Sequence, residues 1–226
     1  MDMTPLLTSV WLSLWTTGIL LVLAFPVALF LGSRRSAVRT LVDTVVGLPL
    51  VLPPTVIGFY LLLFLAPEGF LGSFLETLFG VRPAFSFSGI LIASIVYSFP
   101  FMVQPLKNGV AGVDRRLVEA AYTLGKSRPA TFFRVVIPNM RTSLLTGVAM
   151  TFAHTMGEFG VILMVGGNIP GRTRVASLYI YERVEMLDYQ AAHAYSLILL
   201  GLSFCILFAV NLFSARRRKE CLCDRH

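Results

Sequence analysis

The sequence predicts an all-α membrane protein with five spanning helices. Three observations carry that reading. The chain of 226 residues is 56% hydrophobic and only 14% charged, against about 25% charged in an average soluble domain. Its apolar residues cluster in five windows, approximately 10–31, 45–66, 88–106, 144–165 and 192–213, each reaching the roughly 17–25 residues needed to cross a bilayer as a helix. Backbone groups in lipid must be satisfied within the segment, which leaves helices or a closed barrel. The alternating ten-residue segments of a barrel are absent from the pattern.

The first window has no Lys or Arg before Val10, and its apolar run is too long for the core of a signal peptide, so it is read as an inserted span. Basic residues then orient the chain. Arg34, Arg35 and Arg39 follow the first window. Lys107, Arg115, Arg116, Lys126, Arg128, Arg134 and Arg141 follow the third, and Arg216, Arg217, Arg218, Lys219 and Arg225 follow the fifth. Only Arg82, Arg172, Arg174 and Arg183 fall on the other side. This bias puts the N-terminus outside and the C-terminus in the cytoplasm. It also accounts for the net charge of +7 by topology and lipid headgroups, without nucleic acid.

The chain reads as one transmembrane domain over 1–226. The second and third windows carry Pro49, Pro53 and Pro54, then Pro100 and Pro105, and proline kinks a helix by removing a hydrogen bond. Broken helices suit a transport path, so Pro53 and Pro54 are path candidates. Between these windows, Phe70, Leu71, Phe74, Leu75 and Leu78 recur at helical spacing, an amphipathic segment suited to a membrane interface. In the fourth window Ala149, Ala153 and Gly157 form a small-residue stripe that would let helices approach closely. His154 and Glu158 lie four apart on the next stripe. An ionisable pair at that depth turns inward and has three readings: a packing pair, the lining of a translocation path, or a metal or proton site.

Catalytic motifs are missing. LGKS at 124–127 resembles the end of a phosphate-binding loop, but Ala120 stands where its first glycine is required and no strand precedes it. No H-E-x-x-H or G-x-S-x-G occurs, and His154 with Glu158 is too small a ligand set for zinc. No catalytic residue, metal or cofactor is therefore assigned. Uphill transport would draw its energy from an ion gradient or a separate ATPase. Cys205 reads as a small apolar residue, and Cys221 and Cys223 as reduced thiols of a cytoplasmic tail.

The long polar stretch at 107–143 is the remaining feature. Val118 to Leu124 favours a helix ending at Gly125. A second short helix is expected from Ser127 or Arg128, with Pro129 in its first turn, ending at Pro138. Phe132, Phe133 and Val136 would form an apolar knob between Arg128 and Arg134. That is the composition of a docking anchor or of a helix resting on headgroups.

Glu119-Ala120-Ala121, three residues, Gly125, nine residues, then Val135-Val136-Ile137-Pro138 resembles the E-A-A-x3-G-x9-I-x-L-P loop of ATP-binding-cassette importer permeases. LPLVLPPTVIGFYLLLFLAPEGFLG at 48–72, GEFGVILMVGGNIPGRT at 157–173 and VASLYIYERVE at 175–185 look like the molybdate branch of that superfamily, with the sulfate branch similar. The resemblance covers nearly the whole chain and implies a type I importer permease fold in a prokaryotic cytoplasmic membrane. It implies that Glu119, Ala120, Ala121, Gly125, Arg128, Phe132, Phe133 and Pro138 couple the chain to two cytoplasmic ATPase subunits, which hold the ATP and Mg. It further implies a second copy of the chain and an external oxyanion-binding protein. The substrate would be molybdate, with tungstate or sulfate as alternatives. A secondary transporter driven through His154 and Glu158 is the other reading.

Overall fold

The computed structural model describes residues 2–32 and 36–223, with side chains through Ala209 and for Leu212. Arg34, Arg35, Arg225 and His226 lie outside the described residues, as do the side chains of Arg216, Arg217, Arg218, Lys219, Cys221 and Cys223. Three helices are each long and apolar enough to cross a membrane: α1 (Thr4–Leu31), α5 (Phe87–Ala111) and the Tyr189–Ala209 part of α12 (Tyr189–Cys223). Two bent helix pairs pass the same test of length and apolarity when each is taken together. α2 (Ala37–Val51) turns by 109° into α3 (Pro54–Leu65), and α9 (Arg141–Met156) turns by 57° into α10 (Gly160–Gly166).

The expected second span, 45–66, is thus not one helix, and the reason lies in its prolines. The residue before a proline is pushed out of the helical region. Pro53 and Pro54 are adjacent, so Leu52 and Pro53 are both pre-proline, and both are extended (ψ 141° and 138°). Single prolines have no such effect. Pro26, Pro49, Pro100 and Pro105 all sit inside continuous helices. The fourth span, expected at 144–165, breaks without proline, at Gly157-Glu158-Phe159.

α1, α5 and α9 form the central trio. α1 and α5 run parallel, with Leu20, Ala24 and Ala28 packed with Met102, Val103 and Leu106. α9 runs back along α5. A Cβ on Gly109 would lie 2.6 Å from the Ser143 Cβ, and one on Gly147 would lie 3.1 Å from the Met102 sulfur. The close approach of α9 to α5 therefore falls at Ser143 and Gly147. Of the expected stripe, Ala149 is buried, Ala153 is half-buried and Gly157 is exposed, with nothing nearer than 3.8 Å to a Cβ there. The seam of the trio is hydroxylic. Ser13, Thr16 and Thr17 of α1, Ser94 and Ser98 of α5, and Thr151 and Thr155 of α9 are all buried, small polar residues of the kind that hold membrane helices together.

α3 and α10 pack against α5 through Ile57, Leu65, Ala93, Tyr97, Val161 and Val165. At that end α4 (Phe70–Phe79) closes on a left-handed Gly80 and exposes Phe70, Phe74, Leu78 and Phe79. The same end holds α11 (Ala176–Glu185), which the sequence reading did not anticipate. Its first amide donates to the Ser9 hydroxyl at 2.8 Å, and the Tyr179 and Tyr195 rings meet at 4.3 Å, tilted by 37°. The opposite end carries the polar stretch: α6 (Arg115–Thr123), α7 (Arg128–Thr131), a π-turn over Phe132–Val136 and α8 (Ile137–Asn139).

Candidate functional site

Two places gather the residues singled out from the sequence. The first is the polar stretch. Asp114 caps α6 by accepting the Arg116 N–H at 2.9 Å. Glu119 and Ala120 lie on the exposed side of α6, while Ala121 is buried. Glu119 lines a groove of about 480 Å3 with Leu29, Val110, Arg115 and Tyr122. The helix ends in a Schellman arrangement: the Lys126 N–H donates to the Ala121 carbonyl and the Gly125 N–H to that of Tyr122. Gly125 has φ +74°, a conformation that costs a residue with a Cβ. Ser127 then caps α7, accepting the Ala130 N–H.

The knob differs from expectation. The π-turn accommodates one extra residue, closed by the Ile137 N–H on the Phe132 carbonyl. Such turns re-aim side chains. Phe132 faces inward, edge-on to Phe25 of α1 at 5.4 Å, and Val136 packs on the core that holds Met140. Phe133 is left at 65% exposure, with Leu124 at 79%. Pro138 does not end the helix. The chain stays helical to Asn139 and turns at Met140, which is buried. The Asn139 amide donates to the Val135 carbonyl at 2.7 Å, supplying a donor on a turn where proline has none.

The second place is the break between α9 and α10. Glu158 is 6% exposed, and its Oε1 accepts the Val161 N–H at 3.0 Å, so the carboxylate satisfies an amide in the first turn of α10. Ser177 of α11 donates to the Glu158 carbonyl. His154 Nε2 lies 3.9 Å from Glu158 Oε2. Its Nδ1 meets the Ser98 hydroxyl at 3.0 Å, and its ring stacks on Phe101 at 3.8 Å and leans on Tyr97 at 5.1 Å. Among the described residues no three His, Cys, Asp or Glu side chains come together as a metal site.

The two helix breaks touch. A Cβ on Gly160 would lie 2.7 Å from Pro54 Cβ, and one on Gly58 would lie 2.8 Å from Met164 Cβ. Pro54 and Glu158 thus sit at one crossing of two discontinuous spans, an arrangement found where membrane proteins carry solutes. Sequence reasoning missed a further link between elements. Lys107 of α5 holds Asp43 of α2 at 2.7 and 2.8 Å, and the Gln104 amide reaches the same carboxylate at 3.2 Å. The only signal available was a pair of opposite charges near span ends, 64 residues apart.

A family model described as "binding-protein-dependent transport system inner membrane component" matches residues 24–219. The chain is 43% identical over 219 residues to the molybdenum transport system permease protein ModB of Azotobacter vinelandii, covering 96% of each chain. It is 36% identical over 178 residues to the sulfate transport system permease protein CysT of Salmonella typhimurium, covering 79% of this chain and 64% of that protein. Among solved structures, it resembles a chain of a bacterial ABC transporter involved in alginate import, with TM-score 0.70, 20% identity and coverage of 93% and 79%. It also resembles a chain of the inward-facing MetNI methionine ABC transporter, with TM-score 0.64, 16% identity and coverage of 95% and 96%. These two likenesses establish the fold. The chain belongs to the family of inner-membrane permease components of binding-protein-dependent ABC transport systems.

Proposed function

We propose that this permease imports a tetrahedral oxyanion, molybdate foremost, by alternating access driven by a separate ATPase. The observation that carries the substrate is the end-to-end match to a molybdenum permease, 43% identical over 96% of both chains. Sulfate is the second reading, because sulfate permeases match at 36% identity over about four-fifths of this chain (79%). Tungstate shares the same geometry and charge as molybdate.

The positive-inside bias supports an external N-terminus, with α6 to α8 facing the cytoplasm. There Glu119, Ala120, Ala121 and Gly125 shape the docking element, and Arg128, Phe133 and Leu124 supply its exposed contacts. Phe132 and Pro138 fix that element to the bundle. Two ATPase subunits provide the nucleotide site, since this chain offers no phosphate-cradling loop. Two copies of the permease enclose the path, and an external binding protein delivers the anion at the end that carries α4 and α11. Closure of the ATPase dimer moves the docking element, which is coupled to α1 through the Phe25–Phe132 contact. The crossing of Pro54 and Glu158 then changes the side from which the path is open. Selection by tight binding belongs to the binding protein, because a permeation site must also release its ion.

Growth of a molybdate-uptake-deficient bacterium tests this reading. Expression of the permease with its ATPase and binding protein should restore molybdate-dependent nitrate reduction at limiting molybdate. Rescue of sulfate auxotrophy without rescue of molybdate use would transfer the assignment to sulfate.

A further inference from the structure

A groove of about 510 Å3 runs between α5 and α9 on the outer wall of the bundle. Gln104 and Asn108 line it from α5, and Thr142, Ser143 and Thr146 from α9. Phe101 lies at the end nearer the α9–α10 break. Five uncharged polar side chains are thus gathered on one wall, beside Leu50, Pro100, Pro105 and Met150. The contrast is plain beside the groove of Leu14, Leu145, Val148, Phe152 and Ile206 between α1, α9 and α12. Gln104 and Thr146 lie within the spans, where polar side chains are costly against lipid and turn toward water or another polar surface, while Asn108, Thr142 and Ser143 line the groove at the end carrying the polar stretch. Asn108, Thr142 and Ser143 carry no side-chain hydrogen bond among the described residues, so their donors are available. At about 30 Å3 per water, the groove has room for a small anion with part of its hydration shell.

Charge fits an anion too. The carboxylate adjoining the groove, Asp43, is held by Lys107 Nζ at 2.7 and 2.8 Å and by the Gln104 amide at 3.2 Å. Its charge is thereby offset and Gln104 is fixed in place. No Asp or Glu lines the groove. At its far end Phe101 stacks on His154 at 3.8 Å and 25°, with His154 tethered to Ser98 at 3.0 Å. Glu158 lies beyond that stack. The rings separate the donor-lined groove from the buried carboxylate, which would repel an anion.

We infer that this α5–α9 groove is a transit subsite for the oxyanion, in which Asn108, Thr142 and Ser143 donate hydrogen bonds and the Phe101–His154 stack is the closed end. The substrate class rests on the proposed function; the aqueous groove rests on the lining alone. Uncharged donors give the weak, exchangeable contacts that passage requires.

The test uses the permease assembled with its ATPase and binding protein in proteoliposomes, with Cys205, Cys221 and Cys223 replaced by Ser. Thr146→Cys and, as the control on the apolar face, Leu145→Cys are treated with a negatively charged methanethiosulfonate. Thiols react as thiolates and are inert in apolar surroundings, so Thr146→Cys should react about tenfold faster or more than Leu145→Cys. Its modification should abolish ATP-driven molybdate uptake, and Phe101→Ala should extend labelling to Tyr97→Cys. Uptake by the unmodified complex with no labelling of Thr146→Cys, or labelling that leaves uptake unchanged, overturns the subsite. Labelling of Thr146→Cys in a complex that imports neither molybdate, tungstate nor sulfate keeps the aqueous groove and overturns the oxyanion as its ligand.

Discussion

Phe132 and Phe133 are neighbours with opposite orientations, and separating them tests how the polar stretch works. Phe132 is half-buried against Phe25 at 5.4 Å. Complete removal of a buried phenylalanine side chain costs about 3–5 kcal/mol. Half that burial, with loss of an edge-on ring pair worth about 0.5–1.5 kcal/mol, puts Phe132→Ala at about 2–4 kcal/mol of destabilisation. Phe133, at 65% exposure, has little to lose within the chain, so Phe133→Asp should change stability by about 0.5 kcal/mol or less. As an aromatic anchor at a docking surface, however, it should be worth about 2 kcal/mol or more of ATPase affinity, or about thirtyfold at 1.4 kcal/mol per decade. The assay pairs thermal unfolding of the purified permease in detergent with titration of the ATPase subunit. Phe132→Ala should lower the melting temperature, and Phe133→Asp should leave it unchanged while weakening ATPase binding and uptake. Equal melting shifts for both variants, or full ATPase binding by Phe133→Asp, would refute the assignment of one ring to the fold and the other to the partner.

Other perturbations follow from the same contacts. Gly160→Val should destabilise the permease by about 1–3 kcal/mol through overpacking, because even a Cβ there would lie 2.7 Å from Pro54; wild-type melting would mean that the two breaks do not pack as described. Glu158→Gln keeps an acceptor for the Val161 N–H and should fold, whereas Glu158→Ala should lose about 1–3 kcal/mol for the unsatisfied buried amide. Full uptake and unaltered melting in both would remove Glu158 from packing and path alike. For the Asp43–Lys107 pair, a double-mutant cycle with Asp43→Asn and Lys107→Met should give a coupling of about 1 kcal/mol, since both partners are partly solvated; additivity would show that the ion pair does not join α2 to α5. Gly125→Ala should cost about 1 kcal/mol by forcing a Cβ into the left-handed region, measured as reduced melting temperature or ATPase coupling, and no effect on either would dismiss the turn as a constraint.

How far the sequence could be read depended on whether the cause was local. The five apolar windows fall on three long apolar helices and two bent helix pairs, because bilayer thickness sets a minimum length. The Gly125 turn and the Ser127 cap were legible because each answers unpaired backbone groups within a few residues. The break at Pro53 followed from its neighbour Pro54, yet counting prolines alone also pointed to kinks at Pro100 and Pro105, where α5 remains one helix. The break at Gly157 has no proline. It depends on Glu158 capping α10 and on Ser177, 19 residues away, binding the Glu158 carbonyl. The spacing of His154 and Glu158 put both on one face of an unbroken helix; they do meet, at 3.9 Å, although Glu158 lies in the break beyond the end of α9. The inward turn of Phe132 was hidden because the period of 3.6 does not apply across a π-turn. Asp43–Lys107 and the hydroxyl seam are products of tertiary pairing, and a single sequence carries little sign of them.

The most direct measurement of the central claim is oxyanion uptake into proteoliposomes that contain this permease with its ATPase and binding protein. ATP on the ATPase side, with no ion gradient imposed, should drive accumulation of molybdate in preference to sulfate, and the rate should fall when Phe133→Asp replaces the wild-type chain. Uptake that needs a proton or sodium gradient and ignores ATP, or that proceeds without the ATPase subunit, would contradict the account.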